Sequence, residues 1–349
     1  MNLLKNHVMK KIKLGVSVGD LNGVGIEIIL KTFKDIRILD FCTPIIFCSN
    51  KIISKYRSLT RTQDININFN IINSMKDVNY KKCNILNISK EDTEIKLGTP
   101  TSFSGEYAYT SLKKSIQELK NNTINALVTA PINKNSIKIN NPDFIGHTEL
   151  LEKEFKGDAL MIMTSDVMKI ACVTGHMPLS DIPKNINVNT IINKTKILNQ
   201  SLMSDFGIIK PKIAILGINP HAGENGTMGK EEEEIIIPAI DKLKKDNIIC
   251  YGPYPADSFF TDKNLQFFDG ILAMYHDQAL IPFKTISFSN GVNFTAGLNI
   301  VRTSPAHGTA HDIAGKGMAD ENSFRQAVYV ACDAYKKRIL YTELHTIND

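Results

Sequence analysis

The sequence predicts a two-domain α/β/α protein with a mostly parallel sheet and helices on both faces. Two observations carry this. Apolar, β-rich runs alternate along the chain with segments whose apolar residues recur near the 3.6-residue period of a helix. The chain also has 349 residues, 43% of them hydrophobic. A chain of that length buries about 75% of its unfolded surface and divides naturally into two domains.

The expected strands are, in order, "IKLGVSV" from residue 12, "TPIIFCSN" from 43, "ALVTAPI" from 126, "KIACVTG" from 169, "PKIAILGIN" from 211 and "GILAMYH" from 270. The expected helices between them are "GIEIILKTFKDI", "GEYAYTSLKKSIQELKNN", "VNTIINKTKILNQSLMSDFG" and "GKEEEEIIIPAIDKLKKDN", with "NSFRQAVYVACDAYKKRIL" as the last. There is no internal repeat and no low-complexity linker.

Charge and composition narrow the function. The net charge is +5, but the lysines are spread along the chain and mixed with acids; only "KKIK" and "KLKKDN" cluster. A nucleic-acid surface gathers its basic residues in one patch, so no nucleic-acid partner is expected, and a small anionic substrate suits the balance better. No apolar run reaches the ~18 residues of a membrane span. The first twenty residues lack the long apolar core and small-residue cleavage site of a signal peptide. Six cysteines, at 42, 48, 83, 172, 250 and 332, form no C-x-x-C pair and sit mostly in apolar company. They read as reduced, buried thiols. The expectation is a soluble cytoplasmic protein.

In open α/β sheets ligands collect at the C-terminal ends of the strands. Three of the eight histidines stand there: His176 after "KIACVTG", His221 after "IAILGINP" and His276 after "GILAMY". His147 stands in "GHTE" after a loop. Three imidazoles and an open position make a catalytic divalent site. The long gaps between the three carry no ligand spacing, so the pattern alone leaves metal ligands and hydrogen-bonded structural histidines both open.

Glycine gives a second signal. "VGDLNGVGIEI" is either an anion cradle on a helix N-terminus or a tight strand-helix turn; it is not the dinucleotide fingerprint. Gly223, Gly226 and Gly229 make a loop before four successive glutamates, which suit the dipole of the helix they open and need no catalytic role. "RTSPAHGTAHDIAGKGMAD" packs Arg302, two histidines and several glycines into a long polar loop, the kind that is usually functional.

Together these stretches resemble a known family. "SPAHGTAHDIAGKG" resembles the adenine-side loop of the isocitrate and isopropylmalate dehydrogenases. The full set, "GHTE", "TGHMPL", "NPHAGENGTMGKEE", "GPYPADSFF", "AMYHDQ" and "GVNFTAGLNIVRTSPAHGTAHDIAGKG", resembles the 4-hydroxythreonine-4-phosphate dehydrogenases of pyridoxal phosphate biosynthesis. The matches run in order over nearly the whole chain.

The resemblance implies an isocitrate/isopropylmalate dehydrogenase-like fold with discontinuous domains, residues 1–132 with 285–349 and residues 133–284. It implies an NAD- (or NADP-) dependent oxidation of 4-phosphooxy-L-threonine, followed by loss of carbon dioxide to give 3-amino-2-oxopropyl phosphate. It places a divalent metal (zinc, magnesium, cobalt or manganese) on His176, His221 and His276. Substrate contacts carry over to His147, Thr148, Lys284, Asn293 and Arg302, and the cofactor loop to His307, Gly308, Asp312, Gly315 and Gly317. The family is a homodimer with shared active sites. Lys284 reads as a substrate ligand first and a proton donor second, and Asp257 as a proton relay or a group behind the ligands. Asp277 reads as either an imidazole-orienting acceptor or a solvated loop carboxylate. The alternative is a related dehydrogenase of another four-carbon phosphorylated acid, such as threonate or erythronate 4-phosphate. One departure stands out. The family's first turn reads Gly-Asp-Pro-Ala-Gly, whereas here it is Gly19-Asp20-Leu21-Asn22-Gly23, and loss of the proline is expected to loosen it slightly.

Overall fold

The computed structural model describes residues 11–89 and 94–346. The expectations for the N-terminal segment, His7 included, lie outside these. The chain divides into two compact units, one running to Ile145 and resuming over His307–Cys332, the other comprising Gly146–Ala306 and the chain from Asp333. Residues 133–145, expected with the second domain, fall in the first unit, and residues 285–306 and those from 333, expected with the first, fall in the second. For residues 292–305 strand pairing gives the reason.

In the first unit, β1 (Ile12–Ser17), β2 (Cys42–Phe47), β3 (Asn70–Ile72), β4 (Asn84–Leu86) and β5 (Ala126–Thr129) lie in the order β3-β4-β2-β1-β5. Every pair in this row is parallel. All of β2 and nearly all of β1 is buried, as continuous apolar runs should be when helices cover both faces. The helix Ser102–Lys120 starts on a capping box of Thr101 and Ser104. Its Ser111 hydroxyl accepts from Val18 N at 3.1 Å and donates to Phe47 O at 2.7 Å, fixing the helix to the ends of β1 and β2.

The second unit holds β6 (Gly157–Thr164), β7 (Lys169–Cys172), β8 (Ile213–Leu216), β9 (Cys250–Tyr254), β10 (Gly270–Ala273), β11 (Val292–Leu298) and β12 (Arg302–Pro305). Their order is β12-β11-β6-β7-β10-β8-β9. From β7 to β9 the pairs are parallel, but β12-β11, β11-β6 and β6-β7 are antiparallel. The antiparallel pairs of β6, β11 and β12 were not expected, whereas β7, β10 and β8 are parallel as expected. Residues 165–168 alone join β6 to β7, and three residues join β11 to β12. A parallel pair needs a crossover of a dozen residues or more, so connections this short can only turn the chain back. The β11-β6 ladder is also what places residues 292–305 in this unit.

A helix the sequence hides, His276–Ser287, follows β10 directly. Its buried residues Ala279, Leu280, Phe283 and Ser287 keep the helical period. The unit's apolar core gathers Ile170, Leu216, Phe259, Phe268, Ile271 and Phe283 around β7, β10 and β8.

Candidate active site

β7, β10 and β8 are adjacent and parallel, so the chain leaves all three at the same end. His176, His276 and His221 come in the first residues past those ends. Hydrogen bonds extend the ladder beyond the strands. Val173 N donates to Ala273 O at 2.9 Å and Thr174 N to Met274 O at 3.1 Å. The Thr174 hydroxyl donates to the same Met274 O at 2.8 Å. Each histidine of the 176/276 pair therefore stands two residues past a fixed point. Their ring centroids are 5.0 Å apart and their planes inclined by 44°.

His276 opens its helix, and its Nδ1 lies 2.7 Å from Asp277 Oδ1. An Nδ1–H donating to that carboxylate leaves the Nε2 lone pair for another partner. Asp277 stands where an orienting acceptor would, with its carboxylate largely exposed. His221 is exposed, in the turn Pro220–Gly223 with φ +55°. Among the described residues no group of three or more His, Cys, Asp or Glu side chains is gathered closely enough to hold a metal ion. The chain forms the 176/276 pair and sets His221 at the end of the next strand.

Two residues that the sequence reasoning did not single out hold this region. Gln278 Oε1 accepts from Met274 N and its Nε2 donates to Gly217 O, both at 2.7 Å, so one amide joins the ends of β10 and β8. Glu232, expected only to complement a helix dipole, is 2% exposed and turned into the loop after β8. The sequence signal for Gln278 was its place in the first turn after "MYHD". Glu232 had none beyond its run.

A second group lies on β11 and β12. Asn293 pairs with Ser304 and Thr295 with Arg302 across the antiparallel ladder, which puts these four side chains on one face. Arg302 is 2% exposed and donates to Thr295 Oγ1 at 3.2 Å. Burial lowers its guanidinium to about 10, and the charge of Glu149 acts against the fall. Glu149 belongs to the first turn of the helix His147–Glu154, with His147 and Thr148. Asn293 Oδ1 is buried without a hydrogen-bond partner. Lys284 is exposed on the helix His276–Ser287, and Asp257 is exposed in the short helix Ala256–Phe259.

In the first unit, the loop with His307, Gly308, Asp312, Gly315 and Gly317 is tied to the glycine turn after β1 and to the helix Gly25–Phe33. Thr309 O accepts from Val24 N at 3.0 Å, and Lys31 Nζ donates to Gly317 O at 3.0 Å and Ala319 O at 2.6 Å. Gly315 and Gly317 have φ of +78° and +72°, which suits glycine. His307 Nδ1 lies 2.9 Å from Gly308 O, and its Nε2 is buried without a partner. The turn is not an open anion cradle, since four of its amides are taken: Asp20 N by Pro131 O, Asn22 N by Asp20 Oδ1, Gly23 N by Asp20 O and Val24 N by Thr309 O. Nor does losing the proline leave it loose. Asn22 Oδ1 accepts from Lys96 N at 2.8 Å, while Nδ2 donates to Thr99 O at 2.8 Å and Thr101 Oγ1 at 3.1 Å.

The frame is that of an α/β enzyme, and the chain's relatives are dehydrogenases of small molecules. The chain belongs to the pyridoxal phosphate biosynthetic protein PdxA family, whose model matches residues 40–331. It is 46% identical to a 4-hydroxythreonine-4-phosphate dehydrogenase of Bacteroides thetaiotaomicron over 94% of this chain and 90% of that one. It shares the fold of a 4-hydroxythreonine-4-phosphate dehydrogenase crystal structure from Klebsiella pneumoniae, with TM-score 0.80 and 28% identity over 93% of this chain and 100% of that one. A relative from Oceanobacillus iheyensis named for D-threonate 4-phosphate is 35% identical, over 93% of this chain and 98% of that one. No helix among the described residues is long and apolar enough to cross a membrane.

Proposed function

We propose that the protein is a cytoplasmic, NAD-dependent and metal-dependent dehydrogenase of pyridoxal 5'-phosphate biosynthesis. It oxidises 4-phosphooxy-L-threonine to 2-amino-3-oxo-4-phosphooxybutanoate, which loses carbon dioxide to give 3-amino-2-oxopropyl phosphate. The observation that carries this reading, beside family membership, is the His176–His276 pair at the ends of adjacent parallel strands.

By donor type the residues suit a divalent ion: two neighbouring imidazoles, one with Nε2 available when its Nδ1–H donates to Asp277, and a third on the next strand end. The three are not gathered around one point in this chain. Held by His176, His276 and His221, the ion would lower the pKa of the substrate hydroxyl and polarise the ketone that follows. NAD, or NADP, on the loop of His307, Gly308, Asp312, Gly315 and Gly317 would accept the hydride.

The chain's own residues do the rest. Arg302, dry and cationic at neutral pH, has the fork that grips phosphate or carboxylate bidentately. Asn293, with its bare Oδ1, and the first turn carrying His147 and Thr148 supply hydrogen bonds that orient the substrate. Lys284 grips an anionic group and gives a proton to the carbon left by carbon dioxide; Asp257 relays protons. The exposure of Lys284 suits an active site shared between copies in a homodimer. Exposed Ile281 and Phe288, 64% and 76% accessible on and beside the same helix, supply apolar area for the second copy.

NADH production with a panel of four-carbon phosphorylated acids, with and without a chelator, tests this. Turnover of 4-phosphooxy-L-threonine, abolished by chelator, is expected. Turnover of threonate or erythronate 4-phosphate instead would favour the second reading, which the Oceanobacillus relative supports.

A further inference from the structure

We infer that Glu232 is a positioning residue, a buried clamp that fixes the strained loop presenting His221. The inference rests on reading His221 as a metal ligand. The loop after β8 is unusual backbone. His221, Ala222, Glu224 and Asn225 all have positive φ, from +43° to +55°. A run of non-glycine residues there is costly and persists only where the surroundings hold it.

Glu232 supplies that hold. Its Oε1 accepts from the backbone amides of Ile218 and Asn219, each at 2.8 Å, and its Oε2 accepts from Asn219 Nδ2 at 2.9 Å. Both oxygens of one buried carboxylate are thus spent on the two residues that lead into Pro220 and His221. Glu231 Oε2 takes the same Asn219 amide at 2.7 Å from the outside.

The space is made for this group. A Cβ at Gly217 would stand 3.0 Å from Glu232 Oε1, and one at Gly223 would stand 2.6 Å from Oε2. The carboxylate enters from a π-helical turn, Glu232–Ile236, and such turns recur at functional sites. A helix-dipole role would leave the carboxylate in solvent, as it leaves its exposed neighbours Glu233 and Glu234.

The test uses E232A, E232Q, H221A and the H221A/E232A double variant of the full chain. Folding is followed by circular dichroism, Co2+ affinity by the visible cobalt band, and exchange of the Ile218 and Asn219 amides by NMR. E232A is expected to weaken Co2+ binding roughly 10- to 100-fold and to speed exchange of both amides. E232Q, which keeps an acceptor for them, should retain most of the affinity. The double variant should bind Co2+ no worse than H221A, because the clamp acts through that histidine. Wild-type amide exchange in E232A, or additive losses in the double variant, would overturn the clamp. If E232A does not fold, the wild type decides: slow exchange of the Ile218 and Asn219 amides that is retained in E232Q supports the clamp, and exchange as fast as in an open loop overturns it. Wild-type Co2+ affinity in H221A, with faster exchange in E232A, would instead sink the metal reading and leave the clamp standing.

Discussion

The His176 and His276 rings face each other with centroids 5.0 Å apart, and the hydrogen bonds of Thr174 to Met274 O fix the backbone two residues behind each ring. On the proposed reading the pair shares one metal ion. His276→Ala is therefore expected to abolish NADH formation almost completely. Folding should persist, since the helix it opens is anchored by Ala279, Leu280 and Phe283. NAD binding should persist as well, because the glycine loop belongs to the other unit. High metal concentration should rescue activity partly at most. Normal turnover by this variant in the presence of chelator would end the metal reading.

Asp277→Asn tests the orienting bond alone. The carboxylate is 65% exposed and packs no core, so the melting temperature should hardly move. An amide oxygen is a weaker acceptor for Nδ1–H and leaves the ring free to turn. Metal affinity is expected to fall roughly 10- to 100-fold, read by cobalt titration. Unchanged affinity would return Asp277 to the role of a solvated carboxylate.

The legible parts of the molecule were those whose signal is local. β1, β2, β5, β7, β8 and β10 stand as apolar runs because both their faces are covered. The histidines were found by their position after such runs. β6 and β11 were missed because "GDALMIMT" and "VNFTAGL" mix polar and apolar residues, and only their mutual pairing makes strands of them. The helix His276–Ser287 was hidden because its apolar residues continue those of β10 and Pro282 interrupts it. Gln278 and Glu232 were opaque for a related reason. Their partners lie 61 and 14 residues away, at Gly217 and Ile218, and no short window contains such a relationship.

Arg302 should make the protein respond to anions. Burial lowers its guanidinium to about 10, below its unfolded value. The cost of burying the cation is therefore present at lower pH and is relieved only as pH rises through about 10. An anion bound there offsets that cost. Phosphate at 100 times its dissociation constant should stabilise the fold by about 2.7 kcal/mol. The effect should persist from neutral pH to about 9, where the guanidinium remains a cation. Arg302→Met should lose it at every pH. Thermal melts with and without phosphate read this directly, and equal phosphate shifts in both proteins would remove Arg302 from anion binding.

Gln278 tests the bridge between the two strand ends. Its amide accepts from Met274 N and donates to Gly217 O, coupling the His276 strand to the His221 strand. Gln278→Met keeps the length of the side chain but leaves both backbone groups unpaired, a loss of about 1–3 kcal/mol for each unless water reaches it. Gln278→Glu keeps the acceptor for Met274 N and turns a carboxylate oxygen towards Gly217 O. The two oxygens repel, and the repulsion raises the new carboxyl's pKa in the folded state above its unfolded value. The penalty is then full at neutral pH and is relieved as pH falls through the raised value, because the protonated carboxyl can donate to Gly217 O and rebuild the bridge. Relative to the wild type, Gln278→Glu should therefore recover thermal stability on acidification, while Gln278→Met should not. At neutral pH both should lose metal affinity, because the β8 end is no longer registered against β10. Parallel pH–stability curves for the two variants would show that the bridge to Gly217 O contributes nothing.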